Sequence, residues 1–285
     1  MKVKIKYWRP THLKADYHIH SNFSDDSSED LDKIALSAIN QNIDEICITE
    51  HVDYGVKLDK EDWEKSDKKL AMNADYDRFF PSMEALTEKF KDQLTIKTGL
   101  EFGMQTITIE PFQKLFDKYP LDFVILSCHQ VGNKEFWTGE FQKGKTQDEY
   151  QHLYYEEIYK VIQQYKDYSI LGHLDLIQRY SDTIEPPLEK HFDIIEAILK
   201  QVIQDGKGIE INTSNERYKL EELTPAYDIL KLYHQLGGEV ITVGSDAHVA
   251  EDVGDRLELS YDILREIGFR HITTFDKMVP KFHPL

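Results

Sequence analysis

The sequence predicts an α/β protein built as a parallel barrel, and three features of this 285-residue chain support that prediction. Short runs rich in Ile, Leu and Val alternate about seven times with amphipathic helical stretches, as in βα units with right-handed crossovers. Almost every run ends in polar residues, at the end of the strand where barrel enzymes build their sites. No linker or shift in composition divides the chain, so we expect one domain over residues 1–285. An open doubly wound sheet is the alternative, but only side chains near its switch point would meet.

The predicted strands each carry potential ligands at their C-terminal end. In chain order they cover residues 16–20, 46–51, 95–101, 124–129, 170–175, 209–214 and 240–248. The predicted helices include residues 31–40, 76–90, 150–164, 191–204 and 226–236. Two long segments, 52–74 and 132–146, leave strands that end in histidine, and we expect them to act as lids or substrate walls.

Composition indicates a soluble enzyme. The chain is 40% hydrophobic and 30% charged, and it contains no apolar stretch long enough to cross a bilayer and no signal peptide. Cys47 and Cys128 lie inside predicted strands without a C-x-x-C pattern, so we interpret them as reduced core thiols of a cytoplasmic protein. A net charge of −18 disfavours nucleic acid as a partner. It does not exclude an anionic small molecule, because bound metal ions dominate the local potential of a site.

Six histidines at strand ends indicate a metal site. His18 and His20 are two residues apart on a strand, so both side chains point to the same face and can share a cation. The other four lie at the ends of later strands, namely His51, His129, His173 and His248. One such histidine alone would more often be an ordinary core or surface residue, but six with interspersed carboxylates reverse that expectation.

The type and number of these ligands predict the chemistry. Imidazole and carboxylate without thiolate suit Zn, Mn or Fe. Catalytic zinc takes about three protein ligands, so six histidines with Glu101, Asp246 and an acid after His20 imply two or three divalent ions. Clustered ions that activate a water and stabilise the attacking and leaving oxygens suit the hydrolysis of a phosphate ester.

The order of these motifs resembles the PHP (polymerase and histidinol phosphatase) superfamily. The series comprises His18-Ile19-His20, Phe23-Ser24-Asp25-Asp26-Ser27, Thr49-Glu50-His51, Gly99-Leu100-Glu101, Ser127-Cys128-His129, Gly172-His173-Leu174-Asp175 and Gly244-Ser245-Asp246-Ala247-His248. Within that superfamily, residues 172–180, 210–214 and 264–269 resemble the stand-alone histidinol-phosphate phosphatases. The resemblance implies a distorted (β/α)7 TIM-like barrel, a trinuclear metal site and the hydrolysis of L-histidinol phosphate in histidine biosynthesis.

Transferred residue by residue, the resemblance also implies a set of ligands. His18, His20, Glu101 and Asp246 would hold one metal, Glu101 would bridge to a second held by His129 and His173, and a third would take His51, His248 and an acid from the loop after His20. Asp25 and Asp26 are both candidates for that acid, and we predict Asp26. The implied reaction is in-line attack of a metal-bridging hydroxide on phosphorus, with protonation of the leaving alkoxide.

Several further residues are candidates for substrate binding and catalysis. Arg179 follows the His173 strand, and its guanidinium suits a bidentate phosphate clamp, although a surface ion pair is the alternative. Arg217 and Asn212 are weaker substrate-binding candidates, since Arg217 stands where relatives are expected to carry a small residue. Asp175 is a catalytic candidate as proton donor, beside Asp246 and Arg179.

Asp16 and Asp175 lie two residues from histidine ligands on the same strand face, which is suited to orienting an imidazole N–H group. Other activities share parts of this pattern. A PHP enzyme acting on phosphotyrosine or on nucleic-acid ends would keep every metal ligand, and an amidohydrolase also opens with H-x-H. A regulatory protein with a dead site would lack ligands, and none is missing here. The sequence leaves the oligomeric state open.

Overall fold

The computed structural model describes residues 12–67, 70–181 and 188–285. Seven parallel strands form one sheet in which each strand pairs with the next along the chain. They are β1 (Ala15–Ile19), β2 (Glu45–Val52), β3 (Thr95–Gly103), β4 (Phe123–Ser127), β5 (Ile170–Leu171), β6 (Gly208–Asn212) and β7 (Ile241–Gly244). All seven predicted strands are therefore present, and β5 is shorter than expected because it ends at Leu171, two residues before the positive φ of His173.

The sheet curves into a nearly closed barrel, which confirms the predicted fold class. Between β7 and β1 the contact runs through the segment just after β7 rather than through a regular ladder. The N–H of Asp246 donates to the carbonyl of His18, and the N–H of His20 donates to the carbonyl of Ala247, both at 2.8 Å. The residues that close the barrel are thus neighbours of predicted ligands.

Helices connect the strands and cover the outside of the barrel. The α-helices among the described residues are α1 (Leu31–Asn40), α2 (Lys60–Trp63), α3 (Tyr76–Phe90), α4 (Ile109–Lys118), α5 (Gln147–Gln164), α6 (Phe192–Gln204), α7 (Tyr227–Gln235) and α8 (Leu257–Ile267). Short 3₁₀ turns lie at Thr106–Thr108, Leu176–Tyr180, Leu188–His191, Ser214–Glu216 and Ala250–Asp252. The five predicted helices are confirmed to within a few residues at each end.

Local sequence explains where these helices begin and which face they bury. In α1, Leu31, Ile34, Ala35 and Ala38 recur on one face and are all buried. Helix α5 begins three residues earlier than predicted because Thr146 forms a capping box with Glu149, in which each side chain accepts a hydrogen bond from the other's backbone N–H.

A C-terminal β-hairpin, which the sequence did not predict, packs against the barrel. Its antiparallel strands are His271–Asp276 and Val279–Pro284. The ring of Phe275 lies 5.0 Å from that of Phe123 at the start of β4, and the N–H of Phe275 donates to the Tyr17 hydroxyl at 2.8 Å. The hairpin thus anchors the chain end to aromatic residues of β1 and β4.

The two long loops carry small strand pairs. Lys57–Leu58 pairs with Ala71–Met72, and Gln130–Val131 pairs with Lys134–Glu135. Cys47 and Cys128 are buried free thiols, as predicted. Within the part of the chain that the structure describes, no helix is long and apolar enough to span a bilayer.

Candidate metal centre

Glu101, fully buried in β3, lies at the centre of a cluster of histidines. Its Oε1 lies 2.8 Å from His173 Nε2 and 3.2 Å from His129 Nε2. Its Oε2 lies 2.9 Å from His51 Nδ1 and 3.3 Å from His18 Nε2. Strands β1 and β2 and the exits of β4 and β5 therefore bring four imidazoles to one carboxylate.

A first group of donors joins β1 to the exit of β7. His20 Nε2 lies 3.5 Å from Asp246 Oδ1, and His18 Nε2 lies 3.7 Å from the same oxygen. The rings of His18 and His20 are 5.0 Å apart, so the two side chains share a face as the alternation along β1 predicted. Asp246 has a left-handed backbone (φ 56°), which turns its carboxylate back toward them.

A further group surrounds Asp26 at the mouth of the cluster. Asp26 Oδ2 lies 3.4 Å from His51 Nε2 and 3.2 Å from His248 Nε2. Asp25 instead forms an ion pair with Lys57 at 2.5 Å. Of the two candidate acids, Asp26 is therefore the one that the fold places beside the histidines.

The pattern of unpaired atoms tests whether metal ions fit here. His18 Nε2, His20 Nε2, His51 Nδ1 and Glu101 Oε2 are buried and lie close to one another, but none of them forms a hydrogen bond of ordinary geometry in the described part of the chain. In folded proteins, buried polar atoms usually have a hydrogen-bond partner, and here four such atoms face one another in a single cluster. Four overlapping groups of three donors have ligand atoms within 4.8 Å of one another, namely His20/His51/His248, His18/His20/Asp246, His18/Glu101/His173 and His51/Glu101/His129. This donor set fits divalent metal ions.

The electrostatics of the cluster are dominated by burial and mutual charge. Burial favours neutral His18, but Glu210, Glu101 and Asp246 outweigh it and raise the pKa of His18 well above its usual value. Burial likewise opposes ionisation of Glu101, yet His18 and other imidazoles hold its pKa well below the usual range. Burial and the neighbouring imidazoles of His51 and then His248 lower the pKa of His20. His20 is therefore suited to offering a free lone pair.

Two carboxylates that sequence reasoning missed orient the histidine ligands. Glu210 Oε1 lies 2.6 Å from His18 Nδ1, and Asp53 Oδ1 lies 2.7 Å from His129 Nδ1. Each imidazole can thus donate from Nδ1 and leave Nε2 unprotonated for a metal. The available signal for Glu210 was its position between Ile209 and Ile211, as an acid inside a buried strand that shares a face with Asn212.

Asp16 and Asp175 hold backbone rather than imidazole groups. Asp16 accepts hydrogen bonds from the N–H groups of Ser245 at 2.9 Å and Gly254 at 2.7 Å. Asp175 accepts from the N–H of Ala226 at 2.8 Å. Burial raises the pKa of Asp175 to about 7, but its side chain does not contribute to the described wall of the cavity. A role for Asp175 as proton donor stays a prediction.

Arg179, the predicted phosphate clamp, lines the cavity beside Asp246. Its Nη2 donates to Ser214 Oγ at 2.7 Å and lies 3.2 Å from Asp246 Oδ2. The guanidinium also packs over the ring of Tyr218, with Cζ 4.0 Å from the centroid. The side chain is only 5% exposed, so the surface ion pair considered as the alternative does not describe it.

The other two substrate-binding candidates, Arg217 and Asn212, do not line the described cavity. Arg217 donates to the carbonyls of Ser245 at 2.5 Å and Asp246 at 2.9 Å. Asn212 is fully buried, and its Oδ1 accepts from the N–H of Ser214 at 3.1 Å and lies 3.4 Å from Arg179 Nη2. Neither residue is part of the described cavity wall, so the structure does not bring them to the position predicted for substrate contact.

A cavity of about 670 Å³ opens above the donor cluster. The two long loops supply much of its wall, with Lys57 and Leu70 from one and Glu135 and Trp137 from the other. This placement agrees with the prediction that they act as substrate walls. The described lining is Asp25, Asp26, His51, Asp53, Val56, Lys57, Leu70, Ala71, His129, Glu135, Trp137, His173, Leu176, Arg179, Tyr180, Tyr218, Asp246 and His248.

Comparison with known proteins gives consistent matches over most of the chain. The model of the PHP domain matches residues 16–214. The histidinol-phosphatase of Lactococcus lactis subsp. lactis (strain IL1403) is 31% identical over 269 residues, which cover 93% of this chain and 95% of that protein. The histidinol-phosphatase of Bacillus subtilis (strain 168) is 24% identical over 259 residues, covering 85% and 96%.

Solved structures show the same similarity. The histidinol phosphate phosphatase from Lactococcus lactis subsp. lactis Il1403, complexed with zinc, L-histidinol and phosphate, has a TM-score of 0.82 at 30% identity and covers 94% of this chain and 98% of that one. The putative histidinol phosphatase from Listeria monocytogenes shares the fold, with a TM-score of 0.73 at 22% identity over 86% of this chain and 99% of that one.

Proposed function

This chain belongs to the PHP domain family, and on that basis we propose that it is a metal-dependent phosphomonoesterase that hydrolyses L-histidinol phosphate to L-histidinol and phosphate. The observation that carries the proposal is the convergence of histidines and carboxylates on Glu101, at the base of a cavity that also contains the buried guanidinium of Arg179. The near full-length similarity to the Lactococcus histidinol-phosphatase supports the choice of substrate.

The donor groups support three ions rather than one. His18, His20, Glu101 and Asp246 would hold the first, Glu101 with His129 and His173 the second, and Asp26 with His51 and His248 the third. Zinc is a suitable identity, because mixed imidazole and carboxylate donors accept it and the Lactococcus structure contains it. When bound, such ions act as Lewis acids toward phosphoryl oxygens and lower the pKa of a coordinated water.

The residues of the chain supply orientation and charge around that chemistry. Arg179 presents a planar guanidinium to the phosphoryl group, and Ser214 and Tyr218 fix its direction. Asp246 contacts both the guanidinium and the first group of donors, since its Oδ2 lies beside Arg179 and its Oδ1 beside His18 and His20. One carboxylate therefore fixes the distance between the clamp and the first group of donors.

A substrate comparison tests this function directly. We expect purified protein loaded with Zn or Mn to show a kcat/KM for L-histidinol phosphate several orders of magnitude above that for p-nitrophenyl phosphate, with no cleavage of a short oligonucleotide. Slow and equal activity on all three would contradict the assigned substrate while leaving phosphoester hydrolysis standing. A preference for phosphotyrosine or for oligonucleotide ends would replace the assigned substrate with that of another PHP activity.

A cytoplasmic location stays a prediction from the two free thiols.

A further inference from the structure

The cavity wall beside His129 carries more negative than positive charge. Lys57 Nζ lies 2.5 Å from Asp25 Oδ1 and 3.0 Å from Asp53 Oδ2, so a single ammonium group serves two carboxylates. All three side chains line the cavity. Asp53 also contacts His129, with its Oδ1 2.7 Å from Nδ1 of the imidazole. The Lys57 ammonium is therefore already in contact with two carboxylates, and a further acid lies nearby.

Glu135 is that further acid. It ends the short strand Lys134–Glu135, lines the same cavity and is half-buried. No ion pair with its carboxylate occurs among residues 12–67, 70–181 and 188–285. Burial raises the pKa of Glu135, the Trp137 indole and the charge of Lys57 oppose this effect, and the charges of Asp53 and Asp25 add to it. A partly desolvated carboxylate without a cation is costly, and a bound cation would remove that cost.

We propose that Glu135 binds the ammonium group of the substrate and thereby selects phosphate esters of amino alcohols over simple phosphate esters. The inference rests on the proposed function, because L-histidinol phosphate combines a phosphate with a primary amine. Such an amine is charged near neutral pH, whereas an imidazole is largely neutral there, so the amine is the cation available to Glu135. Arg179 and Glu135 come from different strand exits but line one cavity, which thus offers a cation for the phosphate and an anion for the amine.

The neighbouring indole supports this assignment. Trp137 also lines the cavity, and its side chain is 69% exposed. An indole at the cavity wall limits where a ligand can lie beside the carboxylate.

The test compares Glu135→Gln with wild type on two esters that differ only in the amine. These are L-histidinol phosphate and 3-(imidazol-4-yl)propyl phosphate, which keeps the ring and the phosphate. We expect kcat/KM to fall roughly 10- to 100-fold for the first and less than about threefold for the second, as for one charge-assisted hydrogen bond. Glu140→Gln is the matched control, because Glu140 is an exposed acid in the same loop that does not line the cavity.

Product inhibition gives a second readout that does not depend on turnover. Glu135→Gln should weaken inhibition by L-histidinol and leave inhibition by inorganic phosphate unchanged. Equal losses on both esters, or no loss on either, would overturn the inference. A wild-type protein that does not favour L-histidinol phosphate over p-nitrophenyl phosphate would instead contradict the proposed function. A preference for the amine that survives in Glu135→Gln would leave the function standing and overturn only the role of Glu135.

Discussion

Glu210→Gln is the substitution that best separates ligand orientation from ligand supply, because Glu210 itself is not expected to touch a metal. Its Oε1 lies 2.6 Å from His18 Nδ1, and its Oε2 accepts the N–H of His173 at 2.9 Å. One carboxylate therefore holds a ligand of β1 and the backbone of a ligand after β5. Glutamine has the same shape but offers one acceptor and one donor.

The amide cannot satisfy both partners. If its oxygen faces His18, its NH₂ group meets the N–H of His173, and two donors oppose each other. If its NH₂ group faces His18, Nδ1 must accept, and the ring proton moves to Nε2, where the lone pair is needed for a metal. Loss of such a supporting carboxylate typically weakens metal binding about 10- to 100-fold, or about 1.4 to 2.7 kcal/mol. We expect an effect of that size, with folding preserved in the metal-loaded protein.

Chelator competition followed by metal analysis measures this affinity, with kcat/KM for L-histidinol phosphate recorded alongside. The control is Glu157→Gln, since the Glu157 carboxylate accepts hydrogen bonds from the N–H and the hydroxyl of Thr106, and Glu157 is neither a proposed ligand nor part of the cavity wall. Glu210→Gln protein with wild-type metal affinity would refute the argument that this carboxylate sets the tautomer of His18. An equal loss of metal affinity in Glu157→Gln would also refute that argument.

Three further predictions concern separate parts of the site. Asp26→Ala should lower the bound metal by one ion while Asp25→Ala retains all of it, because only Asp26 lies beside the histidines. Elemental analysis measures the bound metal, and an unchanged metal content in Asp26→Ala would refute the assignment of Asp26 as a ligand. Arg179→Ala should reduce kcat/KM roughly 100-fold with the metal content intact, as expected for a lost charge-assisted clamp, whereas near-wild-type steady-state kinetics would reject the clamp. Gly244→Ala should cost about 1 to 3 kcal/mol of unfolding free energy in urea titration, since a Cβ there would collide with the side chains of His18 and Glu210. A wild-type midpoint would argue against the close approach of β7 to β1.

The strand ends were predictable because they obey a local rule. His18 and His20 share a face through the two-residue period of a strand, and Glu101 lies in a run whose apolar residues mark it as buried. Parallel strands then bring their C-terminal ends to one side of the barrel, which accounts for the meeting of Glu101 with His129 and His173. This part of the site needed no knowledge of long-range packing.

The supporting contacts were not predictable in the same way. Glu210 meets His18 across 192 residues of sequence, and the contact depends on how closely β6 and β7 approach β1. Arg217 was expected at the substrate, yet it reaches the carbonyls of Ser245 and Asp246, because a long side chain after a strand can turn toward either side. Glu135 gave no sequence signal, since its significance lies in its place on the cavity wall and in the lack of an ion pair with its carboxylate among the described residues.

The closure of the barrel between β7 and β1 has a consequence for how the protein matures. The hydrogen bonds from Asp246 to the His18 carbonyl and from His20 to the Ala247 carbonyl seal the barrel with the same segment that supplies Asp246 and His248 as donors. A nascent chain still lacking that segment has neither a sealed barrel nor a complete centre. The complete donor set of the proposed metal centre therefore exists only once the chain has been synthesised through residue 248 and the barrel has closed.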